Sequence, residues 1–238
     1  MKMRPLPDID LARIAPLPEN MQRRSLEKMK GGFAPFSYSP FRTYYHDIFN
    51  VQPALFGPVG MTDWKVVEQN IRRKSKSDEE CAYNLLVARG LHEYVAREQI
   101  MGRAQEFRPM QMGAGGRVSL WCPMILEVDS RPLVPFIEPR RTYGLGADGR
   151  RFAFSMMHEH IRAADEDYAE VAFGIIRFGD SDGQRRPVTL HKDDGLKLFS
   201  LDELEMMVAT TYRIWREILD EREADTRRRS GETRGPLI

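Results

Sequence analysis

The feature that most constrains this chain is a change of hydrophobic period near residue 117. Upstream, apolar residues recur every three or four positions; from Arg117 they alternate in "RVSLWCPMILEV" and "RPLVPFIEP", two runs separated by the turn-forming "DSR". A period near 3.6 that gives way to a period of 2 predicts helices followed by a β-hairpin, with Pro123 dividing the first run into two strands. A second strand pair, "EVAFGIIRFG" and "RRPVTLHK", flanks the turn-rich "DSDGQ". The expected fold is therefore α+β: a helical N-terminal region packed on a small, mainly antiparallel sheet, with a long C-terminal helix.

Local signals place the helices. "TDWKVVEQNIRRKSK" carries Trp64, Val67 and Ile71 at helical spacing after Thr62 or Asp63. Ser77 and Glu80 form a capping box that opens a helix with Cys81, Leu85, Ala88, His92 and Val95 on one face. His92 reads as a packing residue rather than a ligand. Ser200 and Glu203 open the last helix, whose apolar stripe is Leu204, Val208, Thr211, Trp215 and Ile218. A helix is also expected from about Ala153 to Ala164.

Three regions follow from composition. Residues 1–60 form an arm, with prolines at 5, 7, 16 and 18, a short helix capped by Asn20 and stopped by Gly31-Gly32, and an aromatic stretch from 33 to 56. That stretch is expected to wrap the core irregularly; its other reading is a partner surface. Residues 61–226 form the globular core, and 227–238 a basic, flexible tail.

At 238 residues, of which 42% are hydrophobic, the chain can bury a substantial core. Two cysteines are too few for a disulfide framework, no leader pattern opens the sequence, and no run reaches the roughly 18 apolar residues of a membrane span. A cytoplasmic protein away from membranes is expected. Its 36 basic and 35 acidic residues give no net field toward nucleic acid, so any such attraction must be local.

The local candidates are paired arginines. Arg140 and Arg141, then Arg150 and Arg151, bracket the Gly-rich "TYGLGADG". As a flexible wing, these four arginines with Tyr143 would contact phosphates, while the bland reading is a solvated bend balanced by acids such as Glu138 and Asp148. In "MHEH", His158 and His160 would share a face only on a strand, where with His191 they would offer three imidazoles to a metal. On a helix, two positions turn them about 200° apart. No P-loop, nucleophile elbow or Cys-x-x-Cys is present, and no cofactor is expected.

Over residues 77–178 the order of elements resembles the core of the restriction-endonuclease-like nucleases, whose signature is an Asp followed by Glu-x-Lys on neighbouring strands. The resemblance places Asp129, Glu138 and Arg140 at those positions, with arginine where the family has lysine, and implies metal-dependent cleavage. A turn at Ser130-Arg131 would pair Glu127 with Val134. Asp129 would then stand roughly 20 Å from Glu138, and Glu127 roughly 13 Å, too far to share an ion. The first functional expectation is thus a non-catalytic binding protein that contacts nucleic acid or an acidic protein through its Arg-rich loops. A metal-dependent nuclease and a structural homo-oligomer are the alternatives.

Overall fold

The computed structural model describes residues 5–29, 37–52, 59–112 and 116–232. In chain order these carry α1 (Asp8–Ile14), α2 (Glu19–Glu27), α3 (Ser39–Thr43), α4 (Tyr45–Ile48), β1 (Val51–Gln52), α5 (Trp64–Lys74) and α6 (Asp78–Arg97). There follow β2 (Met101–Ala104), β3 (Met110–Met112), β4 (Gly116–Val118), β5 (Met124–Val128), β6 (Arg131–Glu138) and α7 (Ala147–Met157), then a π-helical turn (His158–Arg162), β7 (Ala172–Phe178), β8 (Val188–Lys192) and α8 (Leu201–Glu232). The fold is α+β, as the change of period predicts. No helix among the described residues is long and apolar enough to cross a membrane.

The main sheet has the order β1-β2-β5-β6-β7-β8, antiparallel except at β1–β2 and β6–β7. Strand β6 is its axis, buried from Leu133 to Glu138. Alternation sends its Val134 and Phe136 into one core with α1, α7 and α8, and its Leu133 and Ile137 into another with α3 to α6. The sheet is thus covered on both faces, which is why β6 reads as an unbroken apolar run.

The β5–β6 turn differs from expectation. Asp129 and Ser130 occupy it, both with positive φ (52° and 60°), so Glu127 faces Pro132 rather than Val134. Two left-handed residues suit the twist of a two-residue hairpin, and Asp tolerates that conformation. The ladder ends at Leu126↔Leu133, close to Pro135, which has no N–H to donate, and Pro123 separates β5 from β4 as expected.

Other differences have local causes. The prolines of the supposed arm bracket helices instead of preventing them: Pro7 and Pro18 stand at the N-caps of α1 and α2, and Leu11 and Ile14 are fully buried. Pro18, not Asn20, starts α2; the Gly31-Gly32 stop lies outside the described residues. In α6 the buried stripe is Glu80, Asn84, Val87, Ala88, Leu91 and Val95, rotated from the expected one. Asn84 explains it: its Oδ1 accepts from Phe41 N (2.9 Å) and its Nδ2 donates to Ser37 O (2.8 Å), so a polar side chain earns a core position by anchoring the segment beside it. Strands β2 and β3 carry too little alternation to be marked in the sequence. Helix α8 continues past the expected start of the tail at 227 to Glu232.

The capping box of α8 forms in full; at α6 only its Ser77 half does, the Glu80 side chain accepting from Lys76 N (2.7 Å) and Ser37 N (3.1 Å) instead of Ser77 N. Ser77 Oγ accepts from Glu80 N (3.1 Å), Ser200 Oγ accepts from Glu203 N (3.3 Å), and Glu203 accepts from Ser200 N (2.8 Å). His92 is a packing residue, its Nε2 bonded to Thr62 O at 2.8 Å and its ring edge-on to Trp64.

Helix α6 meets the β7–β8 connection at very close range. Arg186 N donates to Leu86 O (3.0 Å), and a Cβ built on Gly90 would lie 1.9 Å from Arg186 O. Gly90→Ala should therefore destabilise the fold by about 1–3 kcal/mol or more, although alanine is the better helix former. Urea unfolding measures this, and an unchanged midpoint would show the contact to be loose.

Candidate functional site at the carboxyl ends of the parallel strands

Strands β6 and β7 run parallel, joined through α7, and some of the side chains singled out by sequence, Glu138, Arg140 and Arg141 among them, lie at or just beyond the carboxyl end of β6. Glu138 closes β6 and its side chain is fully buried. Its Oε1 accepts from Leu145 N at 2.6 Å, and Arg177 on β7 brings Nε within 3.1 Å of Oε2, an ion pair by distance without hydrogen-bond alignment. Gly144 lets the loop approach, since a Cβ there would meet Oε1 at 2.6 Å. Burial raises the pKa of Glu138, opposed by the Leu145 hydrogen bond and by Arg177, Arg140 and Arg150.

The expected arginine wing does not exist as such. Helix α7 begins at Ala147, so Arg150 and Arg151 lie on a helix: Arg150 Nη1 donates to Leu145 O (3.1 Å), and Arg151 donates to Lys197 O with its guanidinium over the Phe199 ring. Arg140 makes a two-pronged contact with Asp10 of α1 at 2.7 and 3.1 Å. Only Arg141 and Tyr143 of the five stand exposed. Arg141 lies 3.6 Å from exposed Asp180, and Tyr143 is 76% exposed, with φ at 57° and the Arg13 guanidinium over its ring.

The nuclease set is not assembled. Asp129 sits in the β5–β6 turn, the length of β6 away from Glu138, held by Lys192 Nζ at 2.8 Å; that lysine lowers its pKa. Glu127 is exposed on β5, and Arg140 is committed to Asp10. The metal candidates are also scattered. His160 bonds Arg108 O and stacks on Trp121, while His158 begins the π-helical turn after α7. His191 is on β8, its pKa held down by burial and then by Arg150 and Arg177. Among the described residues no three His, Cys, Asp or Glu side chains group to hold a metal ion. Burial pushes the Cys122 thiol up to about 12, far from a nucleophilic thiolate at neutral pH.

Neither nucleic acid nor a homo-oligomer finds support in this arrangement. The paired arginines are largely turned to internal partners, and of the described aromatics of the 33–56 stretch Phe41, Tyr45 and Phe49 are buried while Tyr38 and Tyr44 are half-buried. Residues 33–36 and 53–56 of that stretch lie outside the described residues.

A cleft of about 1220 Å³ opens beside these strand ends, between α1, α3 and the loop after β6. The sheet edge offers a different surface. At β1, Gln52 Nε2 donates to Asn50 O (2.9 Å) and Val59 O (3.3 Å), and its Oε1 accepts from Val59 N (2.7 Å). The side chain thereby joins the two ends of the segment 53–58. Val59 is 48% exposed, and Met101, beside the β1 partner Gly102, is 42% exposed.

The raised pKa of Glu138 has a definite sign in stability. The folded state holds its proton more tightly than the unfolded chain, so stability falls as pH rises from the ordinary carboxylate range, near 4.5, through the raised folded value. Glu138→Gln should remove that component of the pH profile. Urea midpoints measured from pH 4 to 8 test it, and an identical slope in the variant would refute the assignment.

Residues 9–225 match the family described as "Sliding clamp-binding bacterial toxin SocB". The DNA replication inhibitor toxin SocB of Caulobacter vibrioides is 37% identical over 228 residues, covering 96% of this chain and 95% of that protein. No solved structure matches. With the match running from α1 into α8, this chain belongs to the SocB family of sliding clamp-binding bacterial toxins.

Proposed function

We propose that this chain is a non-catalytic inhibitor of DNA replication that acts by binding a bacterial sliding clamp. The observation that carries the reading is the extent of the likeness: the family match and the Caulobacter relative span every described element from α1 to the first part of α8, so the whole fold is shared and not one module of it.

The surface we assign to the clamp is the β1 edge with the segment that follows it. Edge strands present unpaired backbone to a partner, and β1 is two residues long at the end of the sheet order. The sequence continues from Gln52 as Pro53-Ala54-Leu55-Phe56-Gly57-Pro58. It sets two large apolar side chains side by side between prolines, a composition suited to an extended ligand inserting consecutive side chains into a groove. Gln52 contributes an amide next to them and, in the free protein, ties Asn50 to Val59. Val59 and Met101 add exposed apolar area at the same edge. Within the aromatic stretch from 33 to 56, the signal that singles out its C-terminal part as a partner surface is a glutamine followed by an apolar pair.

Equilibrium binding of the full chain to a purified bacterial sliding clamp tests both statements. Gln52→Ala should weaken binding by about tenfold, and Leu55→Ala with Phe56→Ala by more. Met206→Ala, an exposed position on α8, should leave affinity and stability unchanged. No binding by the wild type would overturn the function; full affinity in both edge variants would overturn the choice of surface.

A further inference from the structure

The cleft at the carboxyl ends of β6 and β7 is not explained by clamp binding. Ligands of open α/β sheets settle outside the carboxyl ends of parallel strands, and β6–α7–β7 is the parallel crossover in the middle of this sheet. At about 1220 Å³ the cleft exceeds what a drug-sized molecule needs.

Its charge is one-sided. Six basic side chains and two carboxylates line it. The carboxylates are already engaged: Asp10 holds Arg140 and Arg13, and Asp8 accepts from Ser119 N at 3.3 Å. On the opposite side stands Arg186, only 4% exposed, whose guanidinium donates to backbone carbonyls and to Tyr38 without an ion pair to any carboxylate among the described residues. Arg42, exposed on α3, makes no ion pair among the described residues either. Arg141 has its 3.6 Å contact to exposed Asp180 and adds to the positive potential at Arg186. A buried cation balanced by carbonyl dipoles, with two more guanidiniums at the rim, leaves net positive charge facing the cleft. Planar guanidinium forks suit phosphate oxygens in particular.

The same walls carry aromatic rings. Tyr38 lies against Arg186, and Tyr143 stands at the rim, largely exposed. Tyr143 is also in the left-handed region, which bulky side chains rarely adopt and which persists only when its surroundings impose it. Nothing in core packing calls for an exposed tyrosine there.

We propose that this cleft binds a nucleoside phosphate, with its phosphates at Arg42, Arg141 and the wall around Arg186 and its base against Tyr143 or Tyr38. This site is separate from the β1 edge and does not depend on the clamp reading.

The test uses ATP as probe, with tripolyphosphate and adenosine as its two halves, on the full chain by calorimetry and thermal unfolding. ATP should bind and raise Tm, more than either half does, and the gain should shrink with added salt. The double variant Arg42→Ala/Arg141→Ala removes two exposed side chains and should keep the wild-type Tm without ligand while weakening ATP by about tenfold or more. Tyr143→Gly should weaken ATP and leave tripolyphosphate unchanged. The proposal is overturned if ATP neither binds nor shifts Tm at millimolar concentration, if tripolyphosphate matches ATP, or if the double variant binds ATP as the wild type does.

Discussion

The guanidinium of Arg186 ties together the end of the molecule where the sequence concentrates its charge. Its Nη1 donates to Pro139 O beyond β6, its Nη2 and Nε donate to Phe178 O and Gly179 O at the end of β7, and its backbone N–H reaches Leu86 O on α6. Carbonyls at strand ends lose their ladder partners, and one planar side chain with several fixed donors satisfies three of them. Burying a cation costs free energy unless hydrogen bonds replace its water. Here they do, and burial still pulls the pKa of Arg186 down. The result is one rigid junction of two strand ends and a helix, which fixes the loop after β6 and the mouth of the cleft beside it.

The charge balance follows the same logic. A near-neutral chain can still be strongly patterned, and this one pairs opposite charges across elements distant in sequence: Asp10 with Arg140, Glu138 with Arg177, Asp193 with Arg162. These pairs are partly or wholly buried, so removing one member would strand the other in low dielectric. Pairs between α2 and α8, such as Arg213 with Glu19, are exposed and screened by water, so they contribute little. Paired arginines in sequence therefore report on internal wiring at 140, 150 and 186, which is why their density is a poor guide to nucleic-acid binding here.

Legibility in the sequence tracked how local each determinant is. The caps at Ser77 and Ser200 involve residues three apart, and the α8 stripe from Leu204 to Ile218 repeats along one helix, so both were readable. The α6 stripe was misplaced because Glu80 and Asn84 are buried for what they bind in the segment 37–41, a contact about 43 positions away that hydropathy cannot register. The start of α7 was missed by six residues because glycines 144, 146 and 149 suggest a turn, whereas Gly149 is buried inside the helix. At the candidate sites, the importance of Glu138 was visible as an acid ending an apolar strand, but its role was not: the Asp129-Ser130 turn and the Leu145 hydrogen bond decide it, and both are tertiary facts.

The candidate carboxylates of this fold differ in their reach and in their company. Catalysis by a carboxylate requires one that is near a second group, reachable by substrate and poised to exchange a proton. Glu138 is sealed, its Oε1 closed off by the loop it anchors; Asp129 and Glu127 are exposed at the other end of β6, Asp129 paired with Lys192. The resemblance to nuclease cores rests on the order of elements in the sequence, and the carboxylates it singled out, Asp129 and Glu138, lie at opposite ends of β6. The tie at Arg186 and the two-faced core around β6 hold the sheet together between its short β1 edge and the junction at the strand ends.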